Sequence, residues 1–284
     1  MFYLVLAMFG SAAISLVLRA FGEQGGNRYG IILGNYITCV LVGLLMLPSP
    51  AQLLHGSPVT LVCGVIGGFF FVGGLVSMQS SIRVNGAGLT AAFAKLGLVV
   101  TLGVSVFFGE RPDVAQLVGL VLVFAALALL HGEKPEGAGR RSFALLLLVL
   151  LTGGGGDAMS KIFERLGGEG EGALFFFWLF LTAGLLAAVL AYREYRHSGE
   201  KLAWKALAAG VLVGVPNYFS SYWLLRALYT LPALVVYPVA STGTILIVMA
   251  LSALLFHEKP GKRRMLGLAL ILAALVFLNI VPEN

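Results

Sequence analysis

The chain of 284 residues is 59% hydrophobic and only 11% charged, and its formal net charge is +6. A typical soluble domain carries about 25% charged residues, so this composition excludes a water-soluble globular protein. The basic residues lie in short connectors and not along one helix face, which argues against a nucleic-acid partner. Cys39 and Cys63 lie inside apolar runs and form no CxxC pair, so neither a disulfide framework nor a zinc site is predicted.

Apolar runs of roughly 20 residues recur along the whole chain, and an α-helix of that length crosses a hydrocarbon core about 30 Å thick. The sequence therefore predicts an all-α integral membrane protein. The first run starts at Met1 without the basic region of a secretory signal, so we interpret it as a true first helix. Ten transmembrane helices are predicted, at residues 2–20, 30–48, 58–82, 86–108, 113–131, 142–165, 173–193, 203–227, 232–257 and 264–281.

Lysine and arginine residues are distributed unequally between the two ends of the predicted helices. The connectors after the odd-numbered helices hold fourteen of them: Arg19, Arg28, Arg83, Lys134, Arg140, Arg141, Arg193, Arg196, Lys201, Lys205, Lys259, Lys262, Arg263 and Arg264. The other side holds four: Arg111, Lys161, Arg165 and Arg226. Because basic connectors stay in the cytoplasm, this bias predicts a multi-pass protein of the plasma or inner membrane with both termini outside.

The sequence also repeats itself. Residues 109–130 align with residues 257–278 at a constant offset of 148, and the alignment pairs Glu110 with Glu258. Weaker matches lie upstream: Gly64-xxx-Gly68 with Gly210-xxx-Gly214, and Arg19-Ala20-Phe21 with Lys161-Ile162-Phe163. The repeat divides the chain into two halves of five helices, residues 1–136 and residues 137–284.

An odd number of helices in each half has a consequence for orientation. The second half must enter the membrane in the opposite sense to the first, so the sequence predicts two inverted five-helix repeats. Two such halves are related by a pseudo-two-fold axis in the membrane plane, and they can expose a central site to either side of the membrane in turn.

Four short segments mark the ends and beginnings of predicted helices. Two of them close an apolar helix and precede a Gly- and Ala-rich one: Gly109-Glu110-Arg111-Pro112 and His257-Glu258-Lys259-Pro260. Two others open the fourth and ninth helices: Asn85-Gly86-Ala87-Gly88 and Leu231-Pro232-Ala233-Leu234. With these segments the chain resembles, over nearly its whole length, the drug/metabolite transporter superfamily, and within it the ten-helix group built from two EamA-type halves.

The resemblance implies a carrier, because members of the superfamily export amino acids, metabolites or drugs, or take solutes up. It also implies cytoplasmic termini, which is opposite to the charge bias. The four-helix multidrug relatives carry a membrane glutamate in the first helix of the repeat, and the matching positions here are Ser11 and Gly153. The resemblance therefore does not extend to a glutamate-based exchange of protons for organic cations.

Two charged residues lie deep inside predicted spans. Lys95 is near the middle of the fourth helix, where a charge costs at least about 2.5–3.5 kcal/mol. Asp157, in the sixth helix, is its natural partner. A lysine in a cavity suits a carboxylate or phosphate of a substrate, or a titrating switch. Alternatively, Lys95 braces the fold and Asp157 caps the helical segment that follows it.

Polar and helix-breaking residues provide further candidates for a central cavity. Gly155, in a run of four glycines, and Pro216 and Pro238 are predicted to interrupt their helices, as is usual at the binding site of a carrier. The side chains predicted to bind or couple substrate, with Lys95 and Asp157, are Ser11, Asn217, Tyr218, Tyr237 and Ser241. The serines could instead fasten helices together. Glu110 and Glu258 are interpreted as gating or helix-end pairing residues.

These features favour a secondary transporter, with export of a small metabolite, amino-acid-like or amphipathic solute by alternating access and with possible proton coupling. The chain contains no Walker A motif, so no ATP hydrolysis, cofactor or metal is expected. A lipid or lipid-linked sugar flippase is the alternative. A membrane-embedded enzyme fits less well because no acid/base cluster stands out. The expected partners are a small-molecule substrate and membrane lipid, with the protein a monomer or weak homodimer.

Overall fold

Helices are the only regular elements of the residues that the structure describes. The computed structural model describes residues 1–21, 27, 29–49, 51–131 and 140–256, and beyond them 266, 267, 269, 270, 273, 274, 276 and 277. For some residues within helices, Lys95 among them, it describes the backbone alone. The helices are α1 (Phe2–Phe21), α2 (Gly30–Leu45), α3 (Gln52–His55), α4 (Pro58–Leu96), α5 (Leu98–Phe107), α6 (Val114–His131), α7 (Arg140–Leu166), α8 (Gly172–Ser198), α9 (Trp204–Leu228) and α10 (Ala233–Phe256).

Several of these helices are suited to a hydrocarbon environment. Among the described residues, three segments are long and apolar enough to cross a membrane: Pro58–Met78, Phe143–Leu166 and Gly172–Ser198. Shorter apolar helices are Phe2–Leu18, Gly30–Leu45, Leu98–Phe107, Val114–Ala125 and Ala233–Val248. The all-α prediction is confirmed for the described residues, while the number of ten spans stays a prediction.

The helix α4 covers the region where the sequence predicts two helices and a connector. As a straight rod, its 39 residues would measure about 58 Å, nearly twice a hydrocarbon core. However, the hydroxyls of Ser81 and Thr90 lie 2.9 Å apart, whereas nine residues of straight helix rise about 13.5 Å. This short distance shows that the chain bends back between Ser81 and Thr90, although its backbone stays helical throughout. The reversal lies where the predicted helices 58–82 and 86–108 meet.

A break that the sequence did not predict occurs at Gly97, between α4 and α5. Its carbonyl accepts a bond from the N–H of Val100 at 2.9 Å, a tighter turn than that of an α-helix. A Cβ atom at Gly97 would lie 2.7 Å from the backbone nitrogen of Gly154, and one at Gly154 would lie 2.1 Å from the Gly97 carbonyl oxygen. The two glycines therefore allow the backbones of these segments to touch.

The predicted interruptions at Gly155, Pro216 and Pro238 are wrong as ends of helices. α7 continues through the whole glycine run, and α9 and α10 each contain a proline in their interior. Unpaired backbone groups cost several kcal/mol in hydrocarbon, so helical bonding is retained wherever it can be. Near Pro238, the Thr242 hydroxyl also donates a hydrogen bond to the proline carbonyl, at 2.7 Å.

One compact unit of the chain consists of residues Met1–Val72 and Ile162–Arg226. Its core includes a series of aromatic side chains, among them Phe163 and Phe175, whose rings stack with centroids 4.4 Å apart. Glu171 directly precedes α8, and its carboxylate accepts hydrogen bonds from the Ser57 N–H and the Thr60 hydroxyl. Glu171 thereby caps the beginning of α4, where the first N–H groups have no partner within the helix.

Glycines bring α2 and α9 together within this unit. A Cβ atom at Gly210 would lie 2.5 Å from the carbonyl oxygen of Ile31. One turn further, a Cβ atom at Gly214 would lie 2.7 Å from the carbonyl oxygen of Asn35 and 2.5 Å from the Thr38 Cβ. No larger residue fits at either position without a backbone shift, so the two glycines set the distance between the helices.

The beginning of α4 packs on α8 in the same way. A Cβ atom at Gly64 would lie 2.9 Å from the carbonyl oxygen of Phe175. At Gly68 it would lie 2.6 Å from the Leu179 carbonyl oxygen and 2.6 Å from the Thr182 Cβ. This unit therefore contains two close helix pairs of the same design.

The other compact unit consists of residues Gly73–Lys161 and Ala227–Asn284. Within its described part, α10 packs against α5 and α6. Ser77 and Thr152 join α4 to α7 through hydroxyls 3.1 Å apart. These two units are a different division of the chain from the predicted sequence halves, since each unit takes residues from both halves. The halves 1–136 and 137–284 stay a prediction.

Candidate functional site

A buried ion pair lies in the unit that contains α7 and α10. The ammonium nitrogen Nζ of Lys161 is 2.6 Å from Oε1 of Glu110, and the two side chains are only 1% and 8% exposed. Lys161 lies in the last part of α7, and Glu110 lies in the short segment between α5 and α6. Burial of both charges excludes most water, so their pairing offsets part of the cost of removing each charge from water.

The same carboxylate also holds the beginning of α10. Oε2 of Glu110 accepts a hydrogen bond from the backbone N–H of Leu234, at 3.2 Å. This N–H is one of the first of the helix, which have no partner within it, and the helix dipole is positive there. Glu110 therefore connects α7 with α10, and its predicted role in gating or helix-end pairing stays a prediction.

A second link between α7 and α10 lies one helical turn away. The hydroxyl of Tyr237 donates a hydrogen bond to the backbone carbonyl of Asp157, at 2.7 Å. Asp157 precedes Lys161 by four residues, so the two lie on one face of α7. Ser241 follows Tyr237 by four residues on α10 and is partly exposed. The structure thus brings Asp157 and Tyr237 together, with Ser241 on the same side of α10 as the tyrosine.

Two predicted site residues fall outside this description. The Lys95 side chain is not among the described atoms, although its backbone is helical in α4. Glu258 lies outside the described residues. The pairing of Lys95 with Asp157 and the role of Glu258 therefore stay predictions.

Other candidates lie in the unit that contains α1, α2 and α9. The Asn217 side-chain amide donates to Oδ1 of Asn35, at 3.1 Å, which joins α9 to α2. The hydroxyls of Ser11 and Ser220 lie 2.6 Å apart, and Ser220 also donates to the Ala7 carbonyl at 2.9 Å. These bonds fasten helices together, which is the alternative role that the sequence left open for the serines.

Tyr218 is fully buried in the aromatic core of this unit. Its ring centroid is 6.0 Å from that of Phe176, 5.8 Å from that of Phe180 and 6.4 Å from that of Tyr222. Its hydroxyl has no hydrogen-bond partner among the described atoms. Tyr218 therefore packs as a core residue here, and its predicted contact with a substrate stays a prediction.

Sequence reasoning missed Lys161, which it counted among the connector charges. The structure corrects this assignment, because Lys161 is buried within α7 and cannot act as a topology signal there. Its position inside the predicted span 142–165 is the signal that could have revealed this. Without Lys161, the less basic side holds three basic residues, Arg111, Arg165 and Arg226.

The chain is similar to a known protein family in sequence and to a solved structure in fold. Residues 141–280 match the EamA-like transporter family. A solved crystal structure of another protein superposes with a TM-score of 0.78 at 17% identity, covering 100% of this chain and 98% of the other. That likeness concerns the fold alone. No curated protein is significantly similar in sequence. The family match confirms the predicted resemblance over residues 141–280, so the second half of the chain is similar to EamA-like transporters.

Proposed function

We propose that the protein is a secondary transporter that exports a small metabolite, an amino-acid-like compound or an amphipathic solute by alternating access. The family match supports transport across a membrane. The proposed location is the plasma or inner membrane, with both termini outside, as a monomer or weak homodimer.

The observation that carries alternating access is a reciprocal set of glycine contacts. α4, from the first half, packs on α8 from the second, and α9, from the second half, packs on α2 from the first. If the two halves are interchanged, the contact of α4 with α8 becomes the contact of α9 with α2, as two-fold symmetry requires. The equivalent positions are Gly64 and Gly210, Gly68 and Gly214, Ile31 and Phe175, Asn35 and Leu179, and Thr38 and Thr182.

These equivalences extend the sequence repeat to residues that it did not align. The glycines correspond at an offset of 146, and the residues that they contact correspond at an offset of 144. Because each half contains five predicted helices, such a two-fold axis lies in the membrane plane. Exchange of the two halves between two conformations is the basis of alternating access in inverted repeats.

The ion pair of Glu110 and Lys161 is proposed as a gate. It holds the first turn of α10 to α7, and Tyr237 holds the next turn. Movement of α10 away from α7 would break the hydrogen bond from Leu234 to Glu110 and that from Tyr237 to Asp157. If Glu110 moves with α10, the ion pair breaks as well, and water or substrate groups would replace its partners. An opening event of this kind couples helix movement to the hydration of the space between the two helices.

Proton coupling is proposed for Asp157 and Lys95, the two deep charges predicted from the sequence. If they take part, Lys95→Gln and Asp157→Asn should each change substrate affinity or the pH dependence of transport, with the protein still folded. Unchanged transport kinetics in both variants over a range of pH would remove them from the mechanism.

A thermal-shift screen followed by transport assays tests the function. Purified protein is screened against amino acids, organic acids, cationic drugs and other metabolites, because a ligand of the native state raises the apparent melting temperature. We expect a stabilising solute to be moved by the protein reconstituted into liposomes, under a proton gradient. Movement of labelled lipid without movement of any stabilising solute would contradict the proposal and favour the flippase.

A further inference from the structure

A pocket outside the proposed gate lies beside the last turns of α8. Its volume is about 480 Å³, and it is lined by Tyr29, Leu190, Arg193, Glu194 and His197. The four α8 residues share one face of the helix, since positions three, four and seven residues apart are neighbours along a helix. Tyr29, directly before α2, completes the lining.

The level of this pocket in the membrane follows from the sequence of α8. The helix begins at Gly172, and no charged residue occurs between Gly172 and Ala191. These twenty residues rise about 30 Å, which equals the thickness of a hydrocarbon core. Arg193, Glu194 and His197 follow at once, so they lie at the level of the lipid headgroups, with Leu190 at the edge of the hydrocarbon.

The side chains of the pocket carry both signs of charge. A guanidinium such as that of Arg193 suits phosphate because it offers two parallel N–H groups, and His197, four residues on, offers a second donor on the same face. Glu194 adds a carboxylate, and the Tyr29 ring favours a nearby cation. Glu194 would repel a purely anionic ligand, and Arg193 would repel a purely cationic one. The lining therefore matches a ligand that carries a phosphate and an ammonium a short distance apart.

We propose that this pocket binds the headgroup of phosphatidylethanolamine from the surrounding bilayer. The phosphate lies at Arg193 and His197, and the primary ammonium donates hydrogen bonds to Glu194. The first part of an acyl chain runs along Leu190 towards the hydrocarbon. Phosphatidylcholine offers no N–H donor to Glu194, and phosphatidylglycerol offers no cation, so both bind less well.

Nanodiscs of three compositions test the proposal without any transport assay. They contain phosphatidylcholine alone, phosphatidylcholine with phosphatidylethanolamine, or phosphatidylcholine with phosphatidylglycerol. We expect the protein to have its highest apparent melting temperature with phosphatidylethanolamine, and native mass spectrometry to retain that lipid on the protein. Arg193→Gln should remove both effects, and Glu194→Gln should remove the preference for phosphatidylethanolamine over phosphatidylglycerol.

Arg196→Gln is the matched control, because Arg196 is exposed in the same two turns of α8 but does not line the pocket. This variant should keep the full lipid effect. Equal stabilisation by phosphatidylethanolamine and phosphatidylglycerol would overturn the proposal, as would an equal loss in Arg196→Gln and Arg193→Gln. If Arg193→Gln does not fold, the lipid preference of Glu194→Gln decides alone, and a preference equal to that of the unchanged protein overturns the proposal.

Discussion

Lys161 and Glu110 lie on different elements, and their charged atoms meet 2.6 Å apart in a place that almost no solvent reaches. The pair is the point where α7, the start of α10 and the segment between α5 and α6 are joined. Its energetic role can be separated from its proposed role in transport by substitution.

Single substitutions of the pair should be more harmful than the double one. Glu110→Gln or Lys161→Met removes one partner of a buried ion pair, and such a loss costs about 3–5 kcal/mol in known cases. Glu110→Gln combined with Lys161→Met removes both charges and should regain much of that loss. Apparent melting temperatures in one detergent give the comparison. If the pair is a gate, the double variant folds but its transport rate changes; a single variant as stable as the unchanged protein would contradict the burial argument.

Removal of the Tyr237 hydroxyl should weaken the contact between α7 and α10. Tyr237→Phe loses one hydrogen bond and leaves the Asp157 carbonyl without this donor, so we expect a loss of about 1–3 kcal/mol. Asp157→Asn keeps the backbone carbonyl and should therefore keep the bond. Thermal unfolding of the two variants makes the test, and the prediction fails if Asp157→Asn is the less stable of the two.

Glycine substitutions should differ strongly with position. Gly210→Ala places a Cβ 2.5 Å from the Ile31 carbonyl oxygen, and overpacking of this kind costs about 1–3 kcal/mol. Gly68→Ala, in the other helix pair, should cost a similar amount. Gly103→Ala is the matched control, because no atom lies within 4 Å of its added Cβ. In a helix interior that change stabilises by about 0.5–1 kcal/mol. Equal melting temperatures for all three variants would refute the packing argument.

Membrane orientation can be measured with introduced cysteines. Cys39 and Cys63 are buried, so a membrane-impermeant maleimide should label only the added thiol. In intact cells Ser198→Cys should stay unlabelled. Ser49→Cys lies in an exposed segment just after α2 and should be labelled. A cysteine at Asn284, which lies outside the described residues, should be labelled as well. The reverse pattern would place the termini in the cytoplasm.

The positions of most helices could be predicted from the sequence because apolar runs and hydrocarbon thickness determine them. The start of α7 was predicted at residue 142 and lies at Arg140, and α10 was predicted at 232–257 and lies at Ala233–Phe256. The continued helical bonding between Ser81 and Thr90 could not be predicted from the sequence. Turn-forming residues usually end a helix, because in water their backbone groups can form hydrogen bonds with water instead. In apolar surroundings no water is present, so the backbone keeps its own hydrogen bonds.

The candidate site was harder to predict than the fold. A sequence shows that a residue lies deep in a helix but not which way its side chain points, so Lys95 and Asp157 were paired on depth alone. Glu110 was predicted as a gating or helix-end pairing residue, and its carboxylate lies against Lys161. Its partner was missed because Lys161 lies near the end of a predicted span, where basic residues usually meet water.

The contact between Gly34 on α2 and Leu207 on α9 joins residues that are far apart in the chain. During synthesis α2 enters the membrane long before α9 exists. Until α9 is inserted, the face of α2 that carries Gly34 contacts lipid or temporary neighbours. The unit that holds both helices can become complete only near the end of translation. A ribosome stalled before residue 204 would therefore leave a protein whose first helices are inserted but not yet packed, and such a chain is a natural target for membrane quality control.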